Sequence, residues 1–337
     1  MNSNSISKEP NCLNLIRIAA AFQVMFGHTI THLKVPINQT LFRATYFLRG
    51  VPIFFAMSGL LIWLSVGRSK SYRQFLTKRF LRIFPELWVS VLADILVIMA
   101  LYRGWTAKSL ILFGIGQGTV LQFWTPSALH GYGVGTPNGA LWTMGVIIQF
   151  YIVVWFFYKI MKGRSIGQWL TGFAASFIIS FGTDRFFHNI VGGTIANLYE
   201  QTIVRYFWIF YIGMFIAEFG NTLLPVLKKY WWAFLTAAFV FFWSGVDIIS
   251  GYYLFWSLFL VFGLTGFAYR YPNIYRFTDI SYGVFLYHMI VVNAFVTFGL
   301  TGKWSFAICS GALSLLLAYL STVVVGKWAA GIKRKLT

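Results

Sequence analysis

A histidine inside a long apolar segment is the first candidate for chemistry. In LNLIRIAAAFQVMFGHTITH, Arg17 and His28 are eleven positions apart, which at about 100° per residue places them within roughly 20° of the same helix face. His32 lies one turn beyond His28. An ionisable side chain in a membrane helix is costly and usually faces the protein interior or a watery cavity. Acid–base chemistry at His28 is one interpretation. The other is that Arg17 snorkels and His28 makes a contact between helices.

Two arginines form a second candidate site. Arg79 and Arg82, in TKRFLRIFPELWV, are three residues apart and would share a helix face. Two guanidinium groups so placed can hold phosphate oxygens in bidentate fashion. The positive-inside rule, however, places arginines in such a loop whatever the loop binds. Both interpretations stay open from the residues alone.

Ser58 and Gly59 interrupt the apolar run VPIFFAMSGLLIW. Small residues allow neighbouring helix backbones to approach closely, which favours a packing role. A nucleophilic serine is not indicated, because nothing nearby in sequence supplies the base that it requires.

Polar residues at helical spacing mark two further segments. TPNGALWTMGVIIQFYIVV contains Asn138 at the start of a helix, with Trp142 and Gln149 seven positions apart on one face. These side chains either line a cavity or, in the case of Gln149, hold two helices together. In TDISYGVFLYHMIVV, Ser281 and His288 are also seven apart and point the same way.

The elements that position these residues must lie in lipid. The 337 residues are 58% hydrophobic and 10% charged, with a mean hydropathy of +0.70, a balance that cannot cover a water-facing globule. The net charge of +19 does not indicate nucleic-acid binding, because the basic residues fall in short clusters between apolar runs.

Cys12 and Cys309 suggest neither a metal nor a disulfide framework. The N-terminus does not resemble a removable signal peptide.

A scan at about 20 residues per bilayer crossing predicts an all-α, polytopic membrane bundle of roughly ten transmembrane helices. The predicted spans are 13–33, 46–67, 84–102, 139–160, 166–183, 203–220, 231–249, 252–269, 281–300 and 304–326. The stretches 103–138 and 184–202 are predicted as loops. Residues 1–337 are therefore expected to form a single integral-membrane domain.

The basic residues predict the orientation of these helices. Counting Lys and Arg in alternate loops gives roughly 18 on the side of both termini and about 8 on the other. Both termini are therefore predicted to be cytoplasmic. Two clusters dominate the count: Arg68, Lys70, Arg73, Lys78, Arg79 and Arg82 after the second span, and Lys327, Lys333, Arg334 and Lys335 in the tail.

Five separated segments together resemble acyltransferase family 3, whose members include O-acetylases of O-antigen, capsule, exopolysaccharide and nodulation factor. Besides Arg17 with His28, they are FFAMSGLLI, similar to FFxxSGFL; RFLRIFPELW, similar to RFxRIxP; GALWTMGVIIQFY, similar to WTLSVExQFY; and ISYGVFLYH, similar to SYxxYLxH. RYFWIFYIGMFIAEFG adds weaker support as the Phe- and Gly-rich sixth helix. Their order and spacing extend the resemblance over nearly the whole chain.

The resemblance implies a membrane-bound O-acyltransferase of the bacterial inner membrane. It implies transfer from cytoplasmic acyl-CoA, acetyl-CoA by default, to a saccharide hydroxyl, with no metal. His28 is then the general base, with Arg17 as a second catalytic residue, and Arg79 and Arg82 bind the phosphates of coenzyme A. The remaining assignments are Ser58 to the cofactor site, and Asn138, Trp142, Gln149 and His288 to the acceptor site.

One departure from the family pattern concerns the mechanism. Where many relatives carry glutamate, this chain has Ile147, followed by Ile148. Asp94 in the third span is a candidate substitute for that carboxylate. A transporter or flippase is the alternative function, since buried polar residues among many helices also describe permeases. The chain shows no clear internal repeat, which many such transporters have.

Overall fold

The computed structural model describes residue 6 and residues 8–245, 253–275 and 278–336, and every regular element in these ranges is a helix. Residues 246–249 and 252, which belong to the seventh and eighth predicted spans, lie outside the described residues. The same is true of the side chains of the basic tail, Lys333, Arg334 and Lys335.

The described helices follow the predicted order of the spans. They are α1 Leu13–His32, α2 Gln39–Thr45, α3 Gly50–Gly67, α4 Tyr72–Leu101, α5 Ala107–Gly118, α6 Trp142–Met161, α7 Ile166–Phe186, α8 Gly193–Tyr199, α9 Ile203–Glu218, α10 Gly220–Ser244, α11 Leu254–Arg270, α12 Ser281–Thr297, α13 Trp304–Ser321 and α14 Lys327–Leu336. A helix occupies each position at which a span was predicted. The all-α class is therefore confirmed for this part of the chain.

Length and apolarity support fewer spans than ten. In the described chain five helices are long and apolar enough to cross a membrane, or six if α8–α9 and α10, which meet at a bend of 102°, form one broken span. The apolar helices α11 and α12 have only 17 residues each, about 26 Å at 1.5 Å per residue, slightly less than a hydrocarbon core of about 30 Å. The count of ten and the cytoplasmic termini stay predictions.

Helix α4 begins twelve residues earlier than expected, at Tyr72 rather than at residue 84. Arg79 and Arg82 therefore lie inside a helix, not in a loop. The apolar scan missed this start because the first three turns of α4, YRQFLTKRFLR, mix basic and polar residues with the apolar ones. Pro85 is accommodated within α4, at the cost of one backbone hydrogen bond.

The two predicted loops also contain helices. Residues 107–118 form α5, whose start is fixed by reciprocal hydrogen bonds between Thr106 and Ser109, a capping box. Residues 193–199 form α8. The prediction of loops was wrong at these two segments because both helices are too short to be detected in a scan for membrane spans.

Backbone contacts divide the chain into two compact units. The first contains Met1–Arg17, Val51–Phe75 and Val146–Phe277, and the second contains Ile18–Gly50, Leu76–Gly145 and Thr278–Thr337. The chain thus passes repeatedly from one unit to the other. A single domain over residues 1–337 stays a prediction.

In the first unit, α3 and α9 cross at two glycines. A Cβ on Gly59 would overlap the Phe210 carbonyl oxygen, and a Cβ on Gly213 would overlap the Ala56 carbonyl oxygen. Each glycine therefore admits the backbone of the other helix, as small residues do at close helix crossings. The end of α9 is held at Glu218, whose carboxylate accepts hydrogen bonds of 2.8 to 3.2 Å from three partners: Trp63 Nε1, Lys162 Nζ and the Gly163 backbone N–H.

Reporter fusions test the predicted topology. A fusion after residue 70 should report the cytoplasm and a fusion after residue 125 the opposite side, because one span separates them and the basic cluster before α4 is held inside. Paired alkaline phosphatase and green fluorescent protein fusions at both positions measure this. Reports of the same side from both positions would contradict the arrangement.

Candidate active site

Two histidines from distant parts of the sequence meet in the second unit. His28 Nδ1 on α1 lies 2.9 Å from His288 Nε2 on α12, and the two residues are 260 positions apart. Their ring centroids are 5.1 Å apart and the ring planes are inclined by 19°. His288 is completely buried, whereas His28 is half-buried. The structure thus pairs the predicted general base with a residue that was predicted to bind the acceptor.

The backbone determines which nitrogens of this pair carry protons. His288 Nδ1 lies 2.9 Å from the Val284 carbonyl oxygen, and because a carbonyl only accepts, this nitrogen must be an N–H donor. In neutral His288, Nε2 then carries the lone pair and accepts a hydrogen bond from His28 Nδ1–H. His28 is left with its lone pair on Nε2. The arrangement therefore sets the tautomer that a general base requires.

His28 Nε2 is the nitrogen of the pair that keeps an available lone pair in this arrangement. Among the described residues it has no hydrogen-bond partner. His32 lies one turn along α1, and its ring centroid is 5.7 Å from that of His28, with the two ring planes tilted. A half-buried imidazole with one nitrogen engaged and the other available can accept a proton from a bound hydroxyl.

The segment before α6 is fixed against α12 by Asn293, a residue that the sequence analysis did not single out. Asn293 Oδ1 accepts from the Val134 backbone N–H at 2.8 Å, and its Nδ2 donates to the carbonyl oxygens of Thr136 and Pro137 at 3.2 and 2.7 Å. Gly133, with φ of +54°, comes so close that a Cβ would overlap the Asn293 amide. Non-helical backbone inside a membrane protein needs such internal partners.

Asn138 lies at the end of the same segment and is 2% exposed. Its Nδ2 donates to the Leu286 carbonyl oxygen at 2.9 Å, two residues before His288 on α12. Its Oδ1 is buried and has no partner in the described part of the chain. A buried, unsatisfied acceptor is costly, so this oxygen is a candidate for a hydrogen bond from a bound hydroxyl.

Contacts between α4 and the start of α12 hold Arg82. Its guanidinium lies 3.7 Å from the Asp279 carboxylate and its side chain is 43% exposed. Asp279 also accepts from the Ser281 hydroxyl at 2.6 Å, and the Tyr282 hydroxyl donates to the Ile83 carbonyl oxygen at 2.9 Å. The RFLR segment and the helix that carries His288 are thus joined at the beginning of α12.

Arg79 and Glu86 lie one turn before and one turn after Arg82. Arg79 is half-buried. Glu86, which the sequence analysis overlooked, is buried, and its carboxylate accepts from the Ser321 hydroxyl of α13 at 3.3 Å. The two arginines therefore share a face of α4, as predicted from their spacing, and that face continues into a buried carboxylate.

Gln149 is engaged in a structural contact of the first unit. Its Nε2 donates to the Gln201 carbonyl oxygen at 2.8 Å, and its Oε1 accepts from the Ile203 backbone N–H at 2.9 Å. Both ends of the amide thus hold α6 to the start of α9. This contact agrees with the alternative of helix adhesion, and a part for Gln149 in acceptor binding stays a prediction.

Arg17 and Ser58 belong to the first unit and are both half-buried. Arg17 precedes His28 by eleven residues on α1, about 16 Å along the helix axis. Ser58 directly precedes Gly59 at the crossing of α3 with α9, which favours a packing role for this pair. The half-buried Trp142 is the first residue of α6, after a short 3₁₀ turn at Gly139–Leu141.

Asp94 on α4 is 1% exposed, and its Oδ1 has no partner in the described chain. The buried Tyr132 hydroxyl likewise has no described partner. Among the described residues, Asp94 forms no hydrogen bond or ion pair with His28 or His288. Its role as the substitute for the missing glutamate therefore gains no support from the geometry.

Comparison with known proteins identifies the family. Residues 11–323 match the acyltransferase family 3 model, described as an acyltransferase domain. The chain belongs to acyltransferase family 3. Nodulation protein 10 of Rhizobium leguminosarum bv. viciae is similar to this acyltransferase, with 29% identity over 350 residues that cover 97% of the chain and 95% of the relative. No solved structure matches this chain.

The family membership confirms the coarse functional prediction. The protein is an acyltransferase of the membrane, and its apolar helices agree with that setting. The match spans both compact units. Within the described residues, no group of three or more His, Cys, Asp or Glu side chains is arranged to hold a metal ion.

Proposed function

We propose that this acyltransferase moves an acyl group, by default acetyl, from cytoplasmic acyl-CoA to a hydroxyl group of a saccharide at the bacterial inner membrane. The observation that carries the proposal is the pair of hydrogen bonds from His28 Nδ1–H to His288 and from His288 Nδ1–H to Val284. They leave His28 Nε2 able to accept a proton. The saccharide hydroxyl must lose its proton as it attacks the acyl group, and His28 can take it. The sequence resemblance to O-acetylases of bacterial saccharides supports the choice of acceptor.

The chemistry assigned to His28 is general base and then general acid catalysis. Its Nε2 takes the proton of the acceptor hydroxyl as that oxygen attacks the thioester carbonyl. The carbon–sulfur bond then breaks, and the coenzyme A thiolate takes the proton from His28. The positive charge on His28 during this sequence is stabilised by the hydrogen bond to His288 Nε2, and the Val284 carbonyl keeps that nitrogen unprotonated.

The depth of His28 agrees with a donor that enters from the cytosol. If Arg17 lies at the cytoplasmic edge of α1, His28 is about 16 Å deeper, close to the middle of a hydrocarbon core of about 30 Å. An extended pantetheine arm has a comparable length, so the thioester can reach His28 while the coenzyme phosphates stay at the membrane surface. We assign those phosphates to Arg79 and Arg82, whose guanidinium groups suit bidentate contacts.

The acceptor hydroxyl is assigned to the neighbourhood of Asn138. The unpaired Oδ1 of Asn138 belongs to a segment that Asn293 fixes against α12, and Leu286, the partner of Asn138, is two residues from His288. We retain Trp142 as a wall of this site, because it follows Asn138 by four residues. His288 itself orients His28, so we assign it to positioning rather than to acceptor binding. Ser58 stays a prediction for the donor site.

Arg79→Ala and Arg82→Ala are each expected to raise the KM for acyl-CoA by about tenfold or more, with a smaller effect on kcat. Each substitution removes charge-assisted hydrogen bonds, worth about 1.5 to 3 kcal/mol, that are made to the phosphates in ground state and transition state alike. Initial rates against acyl-CoA concentration, in membranes with matched protein levels, measure this.

Lysine at either position should restore donor affinity only in part, because an ammonium group lacks the planar fork. Arg73→Ala, an exposed position on the same helix, is the matched control and should leave the KM unchanged. Wild-type KM values for acyl-CoA in both Arg79→Ala and Arg82→Ala would contradict phosphate binding. The arginines would then serve only to orient the helix in the membrane.

Radiolabelled acyl-CoA tests the proposed function directly. Membranes that contain the protein should transfer label to a saccharide fraction or release it by hydrolysis, and membranes with His28→Ala should do neither. A transporter or flippase would give no acyl transfer in either sample. If the wild-type protein neither transfers nor releases label, with its natural membrane saccharides present, the proposal is contradicted.

A further inference from the structure

A cavity of about 670 Å³ lies in the first unit, and none of the residues that line it is assigned to acyl transfer. It is lined by the first turns of α10, the end of α11 and the residues before α1. Three cationic side chains converge on it: Lys228, Lys229 and Arg270. The positive-inside rule accounts for basic residues near such helix ends, but it does not account for their convergence on one cavity.

The charge in the cavity is not balanced. Glu9 lies 3.3 Å from Lys228 and supplies the carboxylate of the lining. In the described part of the chain, neither Lys229 nor Arg270 has a carboxylate within ion-pair distance. Three cations against one anion leave an excess of two positive charges, which suits a ligand with negative charge.

The other residues that line the cavity indicate a ligand larger than a simple anion. Trp231 and Tyr271 form an aromatic wall with ring centroids 5.8 Å apart, and the Arg270 guanidinium lies 5.8 Å from the Tyr271 ring centre. Glu9 Oε2 is buried and has no partner among the described residues. It can accept a hydrogen bond from a hydroxyl group, while the aromatic side chains favour the boundary between lipid and water.

The local backbone agrees with a position at that boundary. Helix α10 turns by 102° from α9, and its own course is interrupted at Tyr230, whose φ and ψ of −112° and 19° are not helical. In the predicted topology this connection faces the cytoplasm, where anionic lipid headgroups and soluble phosphate compounds are both accessible.

We propose that this cavity binds a phosphate group that carries a neighbouring hydroxyl. Lys229 and Arg270 hold the phosphate oxygens, the aromatic wall covers the ligand, and Glu9 accepts from the hydroxyl. An anionic lipid headgroup such as phosphatidylglycerol and a soluble phosphate compound share this chemistry. The proposal does not depend on the acyl-transfer mechanism, because none of these residues belongs to that site.

Binding can be measured on the whole protein, purified in a neutral detergent. Its Tm is followed during titration with inorganic phosphate, with dihexanoyl phosphatidylglycerol, and with dihexanoyl phosphatidylcholine as the zwitterionic control. The double variant Lys229→Gln/Arg270→Gln should weaken binding of the anionic probe by about tenfold or more, since it removes both unpaired charges. Stabilisation by phosphatidylglycerol alone assigns the site to a lipid headgroup. Stabilisation by inorganic phosphate as well assigns it to phosphate in general.

Matched variants separate this site from general electrostatics and from misfolding. Arg68→Gln/Lys70→Gln removes the same charge from exposed positions elsewhere in the first unit and should leave the affinities unchanged. Glu9→Gln should increase the affinity for inorganic phosphate, because it removes a negative charge from the cavity. A folding defect would not increase this affinity. Equal weakening in both double variants, or no binding of any probe to the wild-type protein, overturns the proposal.

Discussion

His28→Ala is expected to lower the rate of acyl transfer by about 10²- to 10⁴-fold, the usual cost of removing a general base. His28 Nε2 is the nitrogen to which the hydrogen bonds of the pair direct the lone pair, and a methyl group cannot accept a proton. The loss should appear in kcat, with the KM for acyl-CoA little changed, because the phosphates are assigned to Arg79 and Arg82. Single-turnover rates in membranes with equal amounts of protein measure it.

His32→Ala is the matched control for this prediction. It removes a histidine one turn along the same helix whose ring lies near His28 but makes no hydrogen bond with it. This variant should retain substantial activity. If His28→Ala acylates its acceptor at a rate near that of the wild type, His28 is not the base, and the assignment passes to another group.

His288→Leu is expected to reduce kcat by up to about 10⁴-fold, the scale of losing the group that holds a catalytic histidine in its working tautomer. Leucine approximates the volume of the buried imidazole but offers no acceptor to His28 Nδ1–H. The proton of His28 can then move to Nε2, where it blocks general base catalysis. The measurement is kcat at matched expression, alongside the KM for acyl-CoA, which should stay near the wild-type value.

His288→Gln distinguishes a positioning role from a merely structural one. The glutamine Oε1 can occupy the place of His288 Nε2 and accept from His28 Nδ1–H, so much of the activity should return. A structural defect would make glutamine, which is polar and buried, no better than leucine. Equal loss in both variants would therefore contradict the positioning role.

The candidate site residues could be selected from the sequence because they are exceptions to their surroundings. A histidine in an apolar helix, and arginines three residues apart, stand out by composition and period. The meeting of His28 with His288 was not predictable from spacing, since it depends on how α1 packs with α12. The sequence indicated two separate roles where the structure shows one hydrogen-bonded pair.

Three further residues have partners or surroundings that the sequence did not predict, each for a physical reason. Asn293 lies in the apolar run HMIVVNAFV. A polar amide is costly in that setting, so its presence indicated a buried hydrogen-bonding role that was not predicted. Glu86 was hidden because α4 was predicted to begin beside it, at the membrane surface. Gln149 could not be assigned from its own segment, because its partners Gln201 and Ile203 lie more than fifty residues away.

The distance in sequence between the paired histidines has a consequence for biogenesis. The ribosome releases His28 260 residues before His288, and at about 5 to 20 residues per second the interval is roughly 13 to 50 s. Throughout that interval the nascent α1 presents an imidazole N–H that lipid cannot satisfy. The growing chain therefore has a polar feature that an insertase can shelter and a membrane protease can recognise, and it disappears only when α12 arrives.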